Sequence, residues 1–251
     1  MSDASSMPTP MVSSPQLLST GSEPFHDQKL YKSAVGTLQY ITITRPDLSY
    51  AVSKVSQFMH SPLLSHWKAV KQILRYIQGT KDYGIVIHKC NDFRLYYFSD
   101  LDWAADIEDR RSVSGYCIFL GTNLLSWSCR KQPTVSRSST EAEFRSMVEC
   151  EAELVWIKGL LAELQIPLSK FPMIFCDNLS TVMLTHNTVF HNRTKHFQLD
   201  VQSIREKIQS HSLQVVHIPG TEQIADILTK PLILRVVDVC ASWVIFSFNF
   251  S

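Results

Sequence analysis

The chain has 251 residues, 45% hydrophobic and 19% charged, a balance ordinary for a soluble protein with a sizeable core in one large or two small domains. Its net charge of +1 excludes nucleic-acid recognition through bulk charge, so any such role has to come from local patches. Six scattered cysteines (Cys90, Cys117, Cys129, Cys150, Cys176, Cys240) with no Cys-x-x-Cys pair argue against a zinc site or disulfide framework. They read as reduced thiols of an intracellular protein.

Residues 1–27 are rich in Ser and Pro with little periodicity, which predicts a disordered linker, and their start lacks the apolar run of a secretory signal. Residues 28–90 turn helical. Val35, Leu38, Tyr40 and Ile41 set a first helix. Arg45-Pro-Asp47 marks a second start, with proline at the first helical position and an acid in the first turn. Leu48, Ala51, Val52, Val55 and Phe58 follow at helical spacing, and a third helix from about His66 stops at Gly79. Residues 83–88 read as a strand. A small bundle that packs and does no chemistry is expected here.

Residues 91–231 change pattern. Strands are expected at 95–100, about 115–120 and about 123–128, the last two joined by a turn at Gly121-Thr-Asn123. A long helix over about 139–164 follows, then a strand at 173–176, helices at about 179–186 and 196–209, a strand at 213–218 and a helix at 222–229. This order predicts an α/β fold, a mixed sheet flanked by helices. Residues 232–251 break the periodicity and read as an aberrant apolar tail from a shifted or read-through frame. Its apolar run, Val236–Ser251, is short of a span of ~20 residues and contains Asp238, so no membrane partner is expected.

Four acids sit at element ends: Asp100, Glu143, Asp177 and Asp226. Carboxylates delivered by separate elements suit hard divalent cations, and a pair of such cations can drive in-line attack on a phosphodiester, the pattern of a metal-dependent nuclease. Each acid also has a plain structural explanation. Asp100 could start a turn, with Asp102 two residues on as the reserve acid on the same face. Asp177 could cap the next helix and Asp226 could serve a helix dipole. Glu143 could close a capping box on Thr140, although Glu141 with Ser138 suits that task better. Glu143 also falls in line with Met147, Cys150, Leu154, Ile157, Leu161 and Leu164, a buried stripe where a carboxylate is costly unless paired or metal-bound.

Arg130, Lys131 and Arg137, just before the long helix, and Arg193 and Lys195 are candidate phosphate contacts, weighed against a solvated basic loop. Trp103 and Trp127 read as core packing before base stacking. His191 and His196 have the wrong spacing for one helical face and are not taken as a zinc pair.

Phe98-Ser-Asp-Leu-Asp-Trp-Ala104, Arg110-Arg-Ser-Val-Ser-Gly-Tyr116, Lys131-Gln-Pro-Thr-Val-Ser-Arg-Ser-Ser-Thr-Glu-Ala-Glu143, Cys176-Asp-Asn178, Arg193-Thr-Lys-His196 and Ala225-Asp-Ile-Leu-Thr-Lys-Pro231 stand in one order. In them the chain resembles the C-terminal ribonuclease H domain of copia-type LTR retrotransposon Pol polyproteins. Upstream, Thr44-Arg-Pro-Asp-Leu48 and Ile73-Leu-Arg-Tyr-Ile-Gln-Gly-Thr80 are similar to the segment connecting reverse transcriptase to that domain. The resemblance implies a ribonuclease H-like five-stranded mixed sheet, preceded by a helical remnant of the thumb or connection. It also implies a site of Asp100, Glu143, Asp177 and Asp226 holding two Mg²⁺ ions, with Mn²⁺ able to substitute. The implied partners are an RNA–DNA hybrid, cut in its RNA strand, and the rest of a reverse transcriptase. Many cellular ribonucleases H carry a mobile histidine before the last acid. Here Pro219-Gly-Thr-Glu222 occupies that place and His217 falls in the strand pattern as a buried residue, so no histidine receives that role.

No Tyr-x-Asp-Asp polymerase motif occurs, so the chain reads as a fragment or decayed copy of a longer polyprotein, without polymerase activity of its own. The alternative to an active nuclease is a catalytically inactive nucleic-acid-binding remnant. An integrase-like enzyme on the same fold is a third, more distant option.

Overall fold

A computed structural model describes residues 5–89, 92–186, 197–231 and 246–247. The chain divides into two compact units, Met1–Val86 with Lys230–Ser251, and Ile87–Thr229. No helix among the described residues is long and apolar enough to cross a membrane.

The first unit holds helices α1 (Gln28–Ile41), α2 (Ser49–Ser56) and α3 (Leu64–Gly79), with a 3-10 turn at Pro46–Leu48. Its core is built from Tyr31, Val35, Leu38, Leu48, Val52, Val55, Val70, Ile73 and Tyr76. Asp27 caps α1, its side chain accepting from Leu30 N at 2.8 Å. The expected strand shrinks to β1 (Tyr83–Gly84), whose described partner is β7 (Phe246–Ser247).

Asp47, read from the sequence as a first-turn acid, is fully buried. Arg45 grips it with both prongs, Nε to Oδ1 at 2.9 Å and Nη2 to Oδ2 at 2.7 Å. Tyr76 donates to Oδ2 at 3.0 Å, and Arg45 also reaches Thr80 O at 2.8 Å. A buried pair with its remaining donors and acceptors satisfied fixes register more than it adds stability.

Residues 5–27 correct the expectation of a disordered linker. Phe25 is buried and stacks on Trp67, with ring centroids 4.8 Å apart. Phe25 N donates to Pro62 O, Leu64 N to Glu23 O and Gln72 Nε2 to Thr9 O. His66 is buried, with Nδ1 accepting from Leu63 N and Nε2 at 2.9 Å from Leu18 O. The arm has little periodicity because it is extended along α3, not because it lacks partners.

The second unit begins with a meander, β2 (Leu95–Asp102), β3 (Val113–Leu120) and β4 (Asn123–Lys131). Helix α4 (Ser139–Glu163) is followed by β5 (Met173–Cys176), α5 (Leu179–His186), α6 (Gln198–Gln209), β6 (Gln214–His217) and α7 (Asp226–Thr229). The sheet order is β4-β3-β2-β5-β6. β2–β3 and β3–β4 pair antiparallel, whereas β2–β5 and β5–β6 pair parallel. The fold is thus the mixed five-stranded α/β sheet flanked by helices that the sequence predicts.

Leu95, Tyr97, Ile118 and Ile174 of the sheet pack with Phe144, Met147, Cys150, Leu154, Ile157 and Leu161 of α4 in one core. Each fully buried aliphatic side chain contributes about 1.5–3 kcal/mol. The stripe ends one turn before the sequence suggests: Leu164 caps α4 and is exposed. The helix expected over 222–229 is also broken. A 3-10 turn fills Gly220–Glu222, and Gln223 takes an extended backbone (ψ 96°) before α7 begins.

Arg45→Met leaves Asp47 buried beside Tyr76 with no cation, so it should lower unfolding stability by about 3–5 kcal/mol in urea titrations. Arg45→Met with Asp47→Leu should recover a large part of that loss.

Candidate active site

Parallel pairing of β2 with β5 sets Phe98 opposite Phe175. Two residues on lie Asp100, still within β2, and Asp177, the residue after β5, so the register brings two carboxylates toward one end of the sheet. Helix α4 supplies the third acid. Its height over β2 is set by Ser146 Oγ, 2.9 Å from Ser99 Oγ and 3.5 Å from Asp100 O. Glu143 lies three residues earlier on the same face. One ligand oxygen each from Asp100, Glu143 and Asp177 falls within 4.8 Å of the others. Asp100 and Glu143 are buried and Asp177 is half-buried.

The cap of α4 leaves Glu143 for this cluster. Ser138 is the N-cap and accepts from Glu141 N at 3.1 Å, while Glu141 Oε2 accepts from Arg137 N at 2.9 Å. Arg145 binds the other Glu141 oxygen at 2.8 Å. Glu141 therefore performs the capping task that sequence reasoning allotted to it, worth about 1 kcal/mol for such caps.

Asp226 does not join the three acids within that distance among the described residues. It opens α7 half-buried, its N–H bonded to Gln223 O at 3.3 Å. One turn on, Thr229 donates its hydroxyl to Asp100 Oδ2. The approach of α7 depends on Gly115, the cross-strand partner of Asp100. A Cβ there would lie 2.7 Å from Leu228 Cβ and 2.9 Å from Thr229 Cγ2. The sequence holds a signal for this in a glycine inside a strand, which marks close backbone approach. Sequence reasoning also passed over Cys176, whose Sγ lies 4.0 Å from Glu143 Oε2. Burial and the neighbouring Glu143 push its thiol well above the ordinary range.

Asp102 lies on β2, which runs two residues further than expected, outside the cluster. His217, expected to be buried, is exposed at the end of β6, with Nε2 3.2 Å from Asp177 O. The strand ends there, so its alternation no longer dictates burial.

Of the basic candidates, Arg130 and Arg137 are exposed. Lys131 is not available in the way expected: its ammonium sits 2.6 Å from Asp106 and 2.8 Å from Asp109. Burial disfavours its charge, but the hydrogen bonds and charges of the two carboxylates outweigh that and raise its pKa. Burial likewise works against the Asp106 carboxylate, and its bonds to Lys131 and to the Asp109 and Glu108 N–H groups lower its pKa on balance. Arg193, Lys195, His191 and His196 lie outside the described residues. Trp103 is 47% exposed and donates to Ser136 O at 3.2 Å, so it is not the core residue expected. Cys117, Cys150 and Cys176 are buried and Cys129 is half-buried, while Cys90 and Cys240 lie outside the described residues.

An antiparallel meander, two parallel strands joined through helices, and acids gathered where β2 and β5 end define a ribonuclease H-like domain. No family model matches the chain. It is 49% identical over 232 residues to the retrovirus-related Pol polyprotein from transposon RE2 of Arabidopsis thaliana. It is 47% identical over 232 residues to that from transposon RE1 of the same plant. Each match covers 92% of this chain and 16% of the relative. Among solved structures, an N-terminal ribonuclease H domain from Mycobacterium tuberculosis, fused to maltose binding protein, is 12% identical with a TM-score of 0.41, covering 60% of this chain and 98% of that one. The chain thus matches a segment of the retrovirus-related Pol polyproteins of copia-type retrotransposons and spans 16% of the length of the two plant relatives.

Gly115→Ala should force α7 off the strand, at about 1–3 kcal/mol of stability for overpacking, read by thermal unfolding. The Lys131 network makes a second prediction. Lys131, raised, stabilises the fold below its ordinary 10.5 and loses that contribution as pH climbs through its folded value. Asp106, lowered, stabilises above its ordinary 3.8 and loses that contribution as pH falls through its folded value. Lys131→Met should therefore be less stable than the parent at pH 7, and the gap should close at both extremes of a pH series.

Proposed function

We propose that this chain is a metal-dependent endonuclease that cleaves the RNA strand of RNA–DNA hybrids, as the ribonuclease H part of a retrotransposon reverse transcriptase. The observation that carries this reading is the convergence of Asp100, Glu143 and Asp177, from three separate elements, within 4.8 Å. Three hard oxygen donors facing one another fit Mg²⁺, with Mn²⁺ as a substitute, and poorly suit softer metals. Bound by these acids, the cation would supply Lewis-acid polarisation of the phosphodiester and a water of lowered pKa.

The protein's own part is to hold and to exclude. The β2–β5 register and the Ser99–Ser146 contact fix the acids before substrate arrives, so little reorganisation accompanies the reaction. Half-buried Asp226 opens α7, whose Thr229 donates to Asp100, and in this reading it is the fourth acid, engaging substrate or a second ion. Exposed Arg130 and Arg137, ahead of α4, are the phosphate contacts we favour. Hybrid selectivity would come from 2′-hydroxyl contacts across the shallow minor groove. One observation favours the second reading, an inactive nucleic-acid-binding remnant: Asp226 is outside the 4.8 Å group.

A labelled RNA–DNA hybrid with Mg²⁺ or EDTA, beside single-stranded RNA and duplex DNA, separates the two. Mg²⁺-dependent loss of the RNA strand in the hybrid alone is expected. Asp100→Asn and Asp177→Asn should each reduce it about a thousandfold or more, several kcal/mol of transition-state charge stabilisation, with the fold intact by circular dichroism. Full activity in either variant would remove that acid from the site. Arg130→Ala or Arg137→Ala should weaken hybrid binding and flatten the log-affinity against log-salt slope by about one. An unchanged slope would exclude that side chain from the phosphate contacts.

A further inference from the structure

We propose that Thr229 is a positioning residue of the acid cluster: its buried hydroxyl holds one oxygen of Asp100 and so fixes that carboxylate in the orientation a divalent cation requires. The inference rests on the metal-binding role proposed for Asp100, Glu143 and Asp177.

Asp100 is a short side chain whose terminal torsion is soft, so its two oxygens have no strong preferred plane of their own. Buried two residues before the end of β2, its carboxylate has its plane set by the groups that hydrogen-bond it. Thr229 is wholly buried and donates to Oδ2. The same hydroxyl lies 3.3 Å from Asp226 O, so it ties the turn carrying the fourth acid to the first acid.

α7 is only four residues long and cannot hold itself in place by its own hydrogen bonds. Its position comes from two attachments to neighbouring residues of β2. Gln223, also buried, donates from Nε2 to Ser99 O at 2.9 Å, and Thr229 takes Asp100. Between these, Leu228 and Thr229 lie against the bare face of Gly115, where a side chain would exclude them. Neither the helix nor the sheet core requires a hydroxyl at this buried position. The cluster does, because groups that hydrogen-bond a ligating carboxylate commonly govern metal affinity by 10–100-fold.

Mn²⁺ binding to the whole chain without nucleic acid, with free ion counted by electron paramagnetic resonance, tests this separately from turnover. Thr229→Val keeps the shape and removes the donor. It should bind Mn²⁺ about 10–100-fold more weakly, while Thr229→Ser should regain most of the affinity. If the valine variant does not fold, Thr229→Ala, which cannot overfill the site, takes its place. Parent-like Mn²⁺ affinity in a folded valine or alanine variant overturns the proposal, as does a loss that serine fails to restore, since packing alone would then explain it. A parent chain that binds no Mn²⁺ overturns the metal reading of the three acids and this inference with it.

Discussion

The parallel pairing of β2 with β5 is the constraint on which the site depends. Adjacent strands run about 4.8 Å apart, so two residues at matched positions past the Phe98–Phe175 pair are neighbours whatever their chemistry. Here both are aspartates, Asp100 and Asp177. A slip of one residue would turn either strand over, sending its acid to the opposite face and Tyr97 or Ile174 out of the core. The hydrophobic pattern that fixes register therefore also fixes the acids, and selection for packing and selection for the cluster act on the same pairing.

Placing Glu143 beside those two carboxylates is unfavourable by itself, because burial and like charge both oppose it. The helix that carries it is secured elsewhere. Phe144, Met147, Cys150, Leu154, Ile157 and Leu161 bury one side of α4 against the sheet, and the Ser138–Glu141 cap satisfies its first turn. Two acids two residues apart are about 200° apart around a helix. One therefore faces the capping loop and Arg145 while the other faces the strand ends. The division of labour between Glu141 and Glu143 follows from helical geometry and needs no difference in side-chain chemistry.

Much of this was legible in the sequence. The strand and helix periodicities placed β2, β5 and α4 to within a few residues, and the acids at their ends were visible as a set. What escaped was tertiary. Gln223 has the composition of a helical residue, but its side chain turns in to bond Ser99 O and Ala225 N, and the helix expected there splits. Lys131 looked available because Asp106 and Asp109, which hold it, lie on a loop whose path no periodicity encodes. The Ser- and Pro-rich arm satisfies its backbone against α3, and composition alone cannot distinguish an extended docked segment from a free one. Asp47 reads in the sequence only as a first-turn acid because its partners Tyr76 and Thr80-bound Arg45 come together only in the folded unit.

Burial within the cluster also sets its direction of approach. Asp100 and Glu143 are closed off by the core, by α7 and by the α4 face, whereas Asp177 keeps part of its surface open. Gly220 lies against Asp177, where an added Cβ would come to 3.4 Å from Oδ2, and His217 holds the Asp177 backbone oxygen from the other strand end. Under the nuclease function proposed above, the exposed part of Asp177 is the side of the cluster from which a phosphate would approach. Substitutions that enlarge the loop at 218–222 act on access, while those at Gly115 or Ser146 act on the geometry of the acids themselves. The two kinds of defect are separable under the proposed metal-binding role, because only the second would alter affinity for a bare divalent ion.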